Sequence, residues 1–179
     1  MTVLKAIITS AARAFALIGG VMLLLLVVMT ILSVIGRGIN AYGLGPIPGD
    51  FELVEFGSAL VIFWILPWAQ VRHGHVAVDV LARHFPPKLN RIIAMISQVL
   101  IAVMAVFIAR QLTLGFFDKL HYGEMSFILM MPVWWGYAAV LPGVYLWVLT
   151  ALMTLVLSVM AVMTGQPHNP IAEADHDQP

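Results

Sequence analysis

The sequence predicts an all-α integral membrane protein with four transmembrane helices plus a short interfacial amphipathic helix. Three observations carry this. Residues 14–36, 56–71, 92–109 and 125–164 contain no Asp, Glu, Lys or Arg, and a helix needs about 20 apolar residues to cross a bilayer core roughly 30 Å thick. Hydrophobic residues are 61% of the 179, with mean hydropathy +0.98, more apolar surface than a soluble monomer hides. The nine Lys/Arg and nine Asp/Glu cluster between the apolar runs.

Span 1 is read as residues 14–35. Lys5 and Arg13 precede it, as in a signal peptide. However, the apolar run of 23 residues is longer than a signal core and no small-x-small cleavage site follows, so a retained span is expected. Gly36 and Gly38 close it beside Arg37, and residues 39–50 form a Gly/Pro-rich loop.

Span 2 is expected to start at Asp50, a good N-cap residue. Glu52 and Glu55 lie in its first turns, where the helix dipole favours carboxylates. Pro67 should kink it, because its ring clashes with the Phe63 carbonyl four residues back. In residues 71–90, Val76, Val78, Val80, Leu81 and Phe85 alternate with His75, Asp79, Arg83 and His84, which suits the interfacial helix, stopped by Pro86 and Pro87. Span 3 is read as residues 90–112, with Arg110 near its far end.

The last run, 40 residues from 125 to 164, exceeds one span. The preferred reading is a partly buried entry segment, 125–131, then one long helix. Pro132 suits its first turn, Trp134, Trp135 and Tyr137 suit the interfacial belt, and Pro142 should kink its interior. The alternative is a two-span hairpin turning at Pro142 and Gly143. Residues 1–164 are thus one membrane domain, and 165–179 a polar tail expected to be disordered.

Four spans put Lys5, Arg13, Arg72, Arg83, Lys88 and Arg91 on one face, and Arg37, Arg110 and Lys119 at the other. Lys/Arg excess marks the cytoplasmic side, so both termini are expected inside. Net charge of +0 offers nothing to nucleic acid. The absence of Cys excludes disulfides, thiolate catalysis and Cys-ligated metals. No phosphate loop, nucleophile elbow or HExxH helix occurs, so no enzyme activity, metal or cofactor is expected.

The candidate residues fall into four groups. Arg37, Glu52, Glu55 and Arg110 read as interfacial charges suited to pairing with one another, and no acid lies at a midplane to carry an ion path. Trp64 and Trp68, four apart on span 2 around Pro67, serve either as lipid anchors or as a partner-docking stripe. Gly136 and Gly143 suit a close helix approach. Asp118, Lys119, His121 and Glu124, in an outer loop read as 116–131, suit rim contacts with a soluble partner. Six His raise the alternative of a haem-bearing membrane anchor of a respiratory enzyme, but none lies inside a span.

Pro48-Gly49-Asp50-x-Glu52-Leu53-x-Glu55, Leu66-Pro67-x-x-Gln70 and Arg72-x-Gly74-His75-Val76-x-Val78-Asp79 run in one ordered block. Gly123-Glu124-x-Ser126 and Met131-Pro132-x-Trp134 follow. Over residues 13–164 the chain resembles the small membrane subunit of tripartite ATP-independent periplasmic (TRAP) transporters, the DctQ-like family. The resemblance implies a non-catalytic small permease subunit in the bacterial inner membrane, within a sodium-coupled, binding-protein-dependent importer of organic acids. It implies two protein partners: a large membrane transport subunit, which this chain braces, and a periplasmic substrate-binding protein, which it helps dock.

Overall fold

The computed structural model describes residues 2–39, 45–72 and 87–164, and these are almost entirely helical. The helices are α1 (Thr2–Gly38), α2 (Asp50–Val71), α3 (Pro87–Tyr122) and α4 (Trp134–Thr164). Each contains a stretch long and apolar enough to cross a membrane. No strand occurs among the described residues, only one antiparallel bridge, Met125 to Pro132. The interfacial helix expected at 76–85 and the tail from 165 lie outside the described residues.

Packing orders the helices as a row, α1–α2–α4–α3. α4 is the most buried of the four and α1 the least. Small residues set the spacing. Gly57 of α2 seats the Leu26 side chain of α1, and Gly19 of α1 receives Ile65 and Trp64. Between α3 and α4, Ala102 and Ala105 pack against Trp147 and Ala151. Ala109, Val140 and Val144 form a second cluster, against which Ala59, Leu60 and Phe63 of α2 pack.

Three boundaries differ from expectation. α1 continues from residue 14 back to Thr2, because the Ala-rich approach holds no helix breaker. α3 runs ten residues past 112, so Asp118, Lys119 and His121 stand on its last turns and not in a loop. Charged residues do not end a helix; Gly123 does, at φ 61° with its N–H on the Lys119 carbonyl at 3.1 Å. α2 is capped by Gly49 at φ 76°, and Asp50 is its first helical residue, not its N-cap.

The hairpin at Pro142 does not form, since α4 is one helix through both Pro142 and Gly143. Pro132 stands just before that helix and not within its first turn; its carbonyl accepts from Trp135 N at 3.1 Å. The two internal prolines have reciprocal consequences. Pro67 cannot donate to the Phe63 carbonyl, and that oxygen faces Gly143, where an added Cβ would lie 2.6 Å from it. Pro142 cannot donate to the Ala138 carbonyl, and the adjacent Ala139 carbonyl accepts from Trp64 Nε1 at 3.0 Å. The carbonyl beside each proline thus faces the other helix.

Candidate functional site

The richest polar assembly sits where α1 and α3 end and α2 and α4 begin, here called the rim. It is built from short connections whose backbone needs partners. Arg37, in the last turn of α1, pairs with Asp50 Oδ2 and lies 5.0 Å from the Phe51 ring. Buried Ser33 donates to the same Asp50 oxygen and accepts from Ile47 N at 3.3 Å. Asp50, freed from capping, thus ties the end of α1 to the start of α2.

Two residues on, Glu52 anchors the α3–α4 connection. Its carboxylate accepts from Ser126 Oγ at 2.8 Å, Ile128 N at 2.7 Å and Leu129 N at 2.9 Å. Ser126 N donates to the Met131 carbonyl and Val133 N to that of Glu124, both at 2.9 Å, so residues 124–133 form a tight hairpin. Ser126 is buried, and Leu129 fills the space over Gly49, where any Cβ would strike it. Phe127, at the tip, is 98% exposed. The entry segment 125–131 is thus largely exposed, with Ser126 its buried point.

Behind the hairpin opens a cleft of about 700 Å³, with Glu52, Glu55, Lys119, Glu124 and Tyr137 among its lining. Lys119 Nζ and Glu124 Oε2, both in its lining, pair at 2.6 Å. Toward the far end of the bundle lies a neutral cluster. Gln70 Nε2 donates to Gln98 Oε1 at 2.8 Å and to Thr154 Oγ1 at 3.0 Å, joining α2, α3 and α4. All three residues are buried, and among the described residues no Asp, Glu, Lys or Arg is.

The rim therefore brings together sequence blocks about 75 residues apart: Gly49-Asp50-x-Glu52 on one side, Gly123-Glu124-x-Ser126 on the other. A family model described as the DctQ component of tripartite ATP-independent periplasmic transporters matches residues 26–161, 136 of the 179. The chain belongs to this family. No curated protein and no solved structure matches it. A DctQ component is a piece of a multi-subunit transporter, and four membrane-length helices make this one a multi-pass membrane protein.

Within this DctQ component the residues singled out from sequence fall in three places. Arg37, Glu52 and Glu55 gather at the rim with Asp118, Lys119, His121 and Glu124; Asp118, His121 and Glu124 are exposed there. Arg110 does not join them, being nine residues below Lys119 on α3. Trp64, Pro67, Gly136 and Gly143 face the chain's own α2–α4 seam. Gly136 receives Phe56, Gly143 receives Trp64, and Trp64 also stacks on Phe15 of α1 at 4.8 Å. Trp68 is half-buried, with Arg72 5.7 Å from its ring.

Ser33, Asp50, Ser126, Gln70, Gln98 and Thr154 carry contacts that sequence reasoning assigned to none of them. Asp50, Gln70 and Ser126 stood inside the resembling motifs, and that was the available signal. Of the histidines, only His121 lies among the described residues, exposed on the rim beside Tyr122 at 5.4 Å.

Proposed function

We propose that this chain is the non-catalytic small permease subunit of a sodium-coupled, binding-protein-dependent secondary transporter for organic acids. It braces the large transport subunit and helps dock the periplasmic binding protein. The observation that carries this is the location of acids: every described Asp and Glu stands at the rim, while the described core is bridged by the neutral Gln70–Gln98–Thr154 cluster. A coupling path usually places acids inside the membrane. A row of four helices around α4 suits a brace, because it offers long lateral faces.

The Lys/Arg distribution supports a topology with both termini cytoplasmic in the inner membrane and the rim periplasmic. Residues 76–85 would then form the interfacial helix on the cytoplasmic side, widening the brace. At the rim, Asp118, Lys119, His121 and Glu124 would contact the binding protein, with exposed Phe127 beside them. The fit to the haem-anchor alternative is poor, since His121 lies at the rim and not within the bundle.

The test is uptake in cells or proteoliposomes holding the binding protein and large subunit, with and without this chain. Uptake should require it. Reversal of Asp118 or Glu124 should leave the membrane complex intact and slow uptake at limiting binding protein, most at low salt, as rim charges act on encounter. Uptake at full rate without the chain contradicts the bracing role; indifference to both reversals at every binding-protein concentration contradicts the docking role.

A further inference from the structure

Arg110 stands apart from the other charges. Its neighbour on α3, Ala109, packs with Val140 and Val144 against Ala59, Leu60 and Phe63. Leu60 is the eleventh of the 22 residues of α2. Arg110 is therefore level with the centre of a helix about 33 Å long, about 15 Å from either end. The sequence placed it near an interface; α3's extension to Tyr122 puts it deeper.

At that depth Arg110 is exposed on the chain's surface. Among the described residues it makes no ion pair. It lines an apolar groove of about 350 Å³ with Val106, Leu114, Phe117, Tyr145 and Val148. The groove's other polar side chains are committed to each other. Thr113 Oγ1 donates to the Ala109 carbonyl at 2.7 Å and so accepts from the Tyr145 hydroxyl, also at 2.7 Å. A guanidinium facing lipid at mid-depth is among the least favourable placements in a membrane protein. Snorkelling does not relieve it, because the stem is too short for either boundary. At the same level α1 bares Leu23 and Leu24, which suit lipid chains.

We propose that the Arg110 face of α3 is the surface that meets the large membrane subunit. Its occupant is a membrane helix of that subunit carrying an Asp or Glu at matching depth. A carboxylate there would accept two parallel N–H bonds from the planar guanidinium, a pairing that Lys reproduces poorly. The apolar groove walls around it supply close packing, the main source of helix association in lipid. This rests on the subunit role proposed above.

The experiment places a benzophenone photo-crosslinker at Val106 or Phe117 in the groove, or at Leu24 on α1, in the full membrane complex. The groove positions should cross-link to the large subunit, and Leu24 to lipid. Arg110→Leu should lower the large subunit co-purified with the tagged chain about tenfold or more, without lowering the chain's own melting temperature, since an unpaired charge is removed. Arg110→Lys should recover only part of that loss. Groove cross-links to lipid alone, or undiminished co-purification of Arg110→Leu, would mean that this face meets lipid and would overturn the proposal. A cross-link to the large subunit from Leu24 alone overturns this face while leaving the subunit role standing. If the unaltered chain captures no large membrane subunit, the subunit role itself fails.

Discussion

Gly143→Leu is expected to disrupt the α2–α4 crossing strongly. An added Cβ alone would lie 2.6 Å from the Phe63 carbonyl oxygen and 2.6 Å from Trp64 Cδ1. The first obstacle is backbone and cannot rotate away, so α4 must withdraw from α2. Withdrawal would stretch the Trp64–Ala139 hydrogen bond and loosen the cluster around Val140 and Val144. Overpacking of this kind costs typically about 1–3 kcal/mol, more where backbone must move. Gly20→Ala is the internal control, because nothing lies within 4 Å of its added Cβ. There, replacing a mid-helix glycine should stabilise by about 0.5–1 kcal/mol. Thermal unfolding in detergent should move down for Gly143→Ala, further for Gly143→Leu, and slightly up for Gly20→Ala. Equal melting temperatures for the two alanine variants would refute the close α2–α4 crossing.

The second large effect belongs to the buried amides. Gln70→Leu removes the donor that now bridges Gln98 Oε1 and Thr154 Oγ1 at 2.8 and 3.0 Å, leaving Gln98 Oε1 with the Thr154 hydroxyl at 3.1 Å. Losing a buried hydrogen bond costs about 0.5–1.5 kcal/mol, although hydrogen bonds between membrane helices average nearer about 0.6 kcal/mol. The informative comparison is therefore the cycle. Gln70→Leu with Gln98→Leu should cost less than the sum of the single changes, since the pair removes both halves of one unmet bond. Strict additivity in detergent melting would show that the two amides do not depend on each other.

The four spans were legible because membrane length and freedom from charge are properties of the sequence itself. Their ends were less so. Phe116 to Tyr122 carries Asp118, Lys119 and His121, which read as loop chemistry, yet polar residues at a rim remain helical until a glycine stops them. Asp50 has the side chain of an N-cap, but Gly49 in the left-handed region takes that place, and Arg37 with Ser33 claims the carboxylate. Trp64 and Gly143 were legible as packing residues. That they pack on each other was not, because nothing in either helix's sequence records its partner's register. The same limit hid the rim: Glu52 looks like a dipole-favoured acid until Ser126, about 75 positions away, is beside it. Arg110 read as one of a group of interfacial charges, and its depth emerged only when Ala109 was seen in the cluster that packs on Leu60.

The most direct test of the account is the number of sodium ions moved per substrate in proteoliposomes holding all three components. Glu55 is the acid nearest the membrane interior on α2, and it is exposed, lining the rim cleft. If this chain supports transport without carrying the ions, Glu55→Gln should leave the sodium-to-substrate ratio unchanged, even where the rate falls. A ratio lowered by one or more ions would place part of the ion path in this subunit and contradict the bracing role at its root.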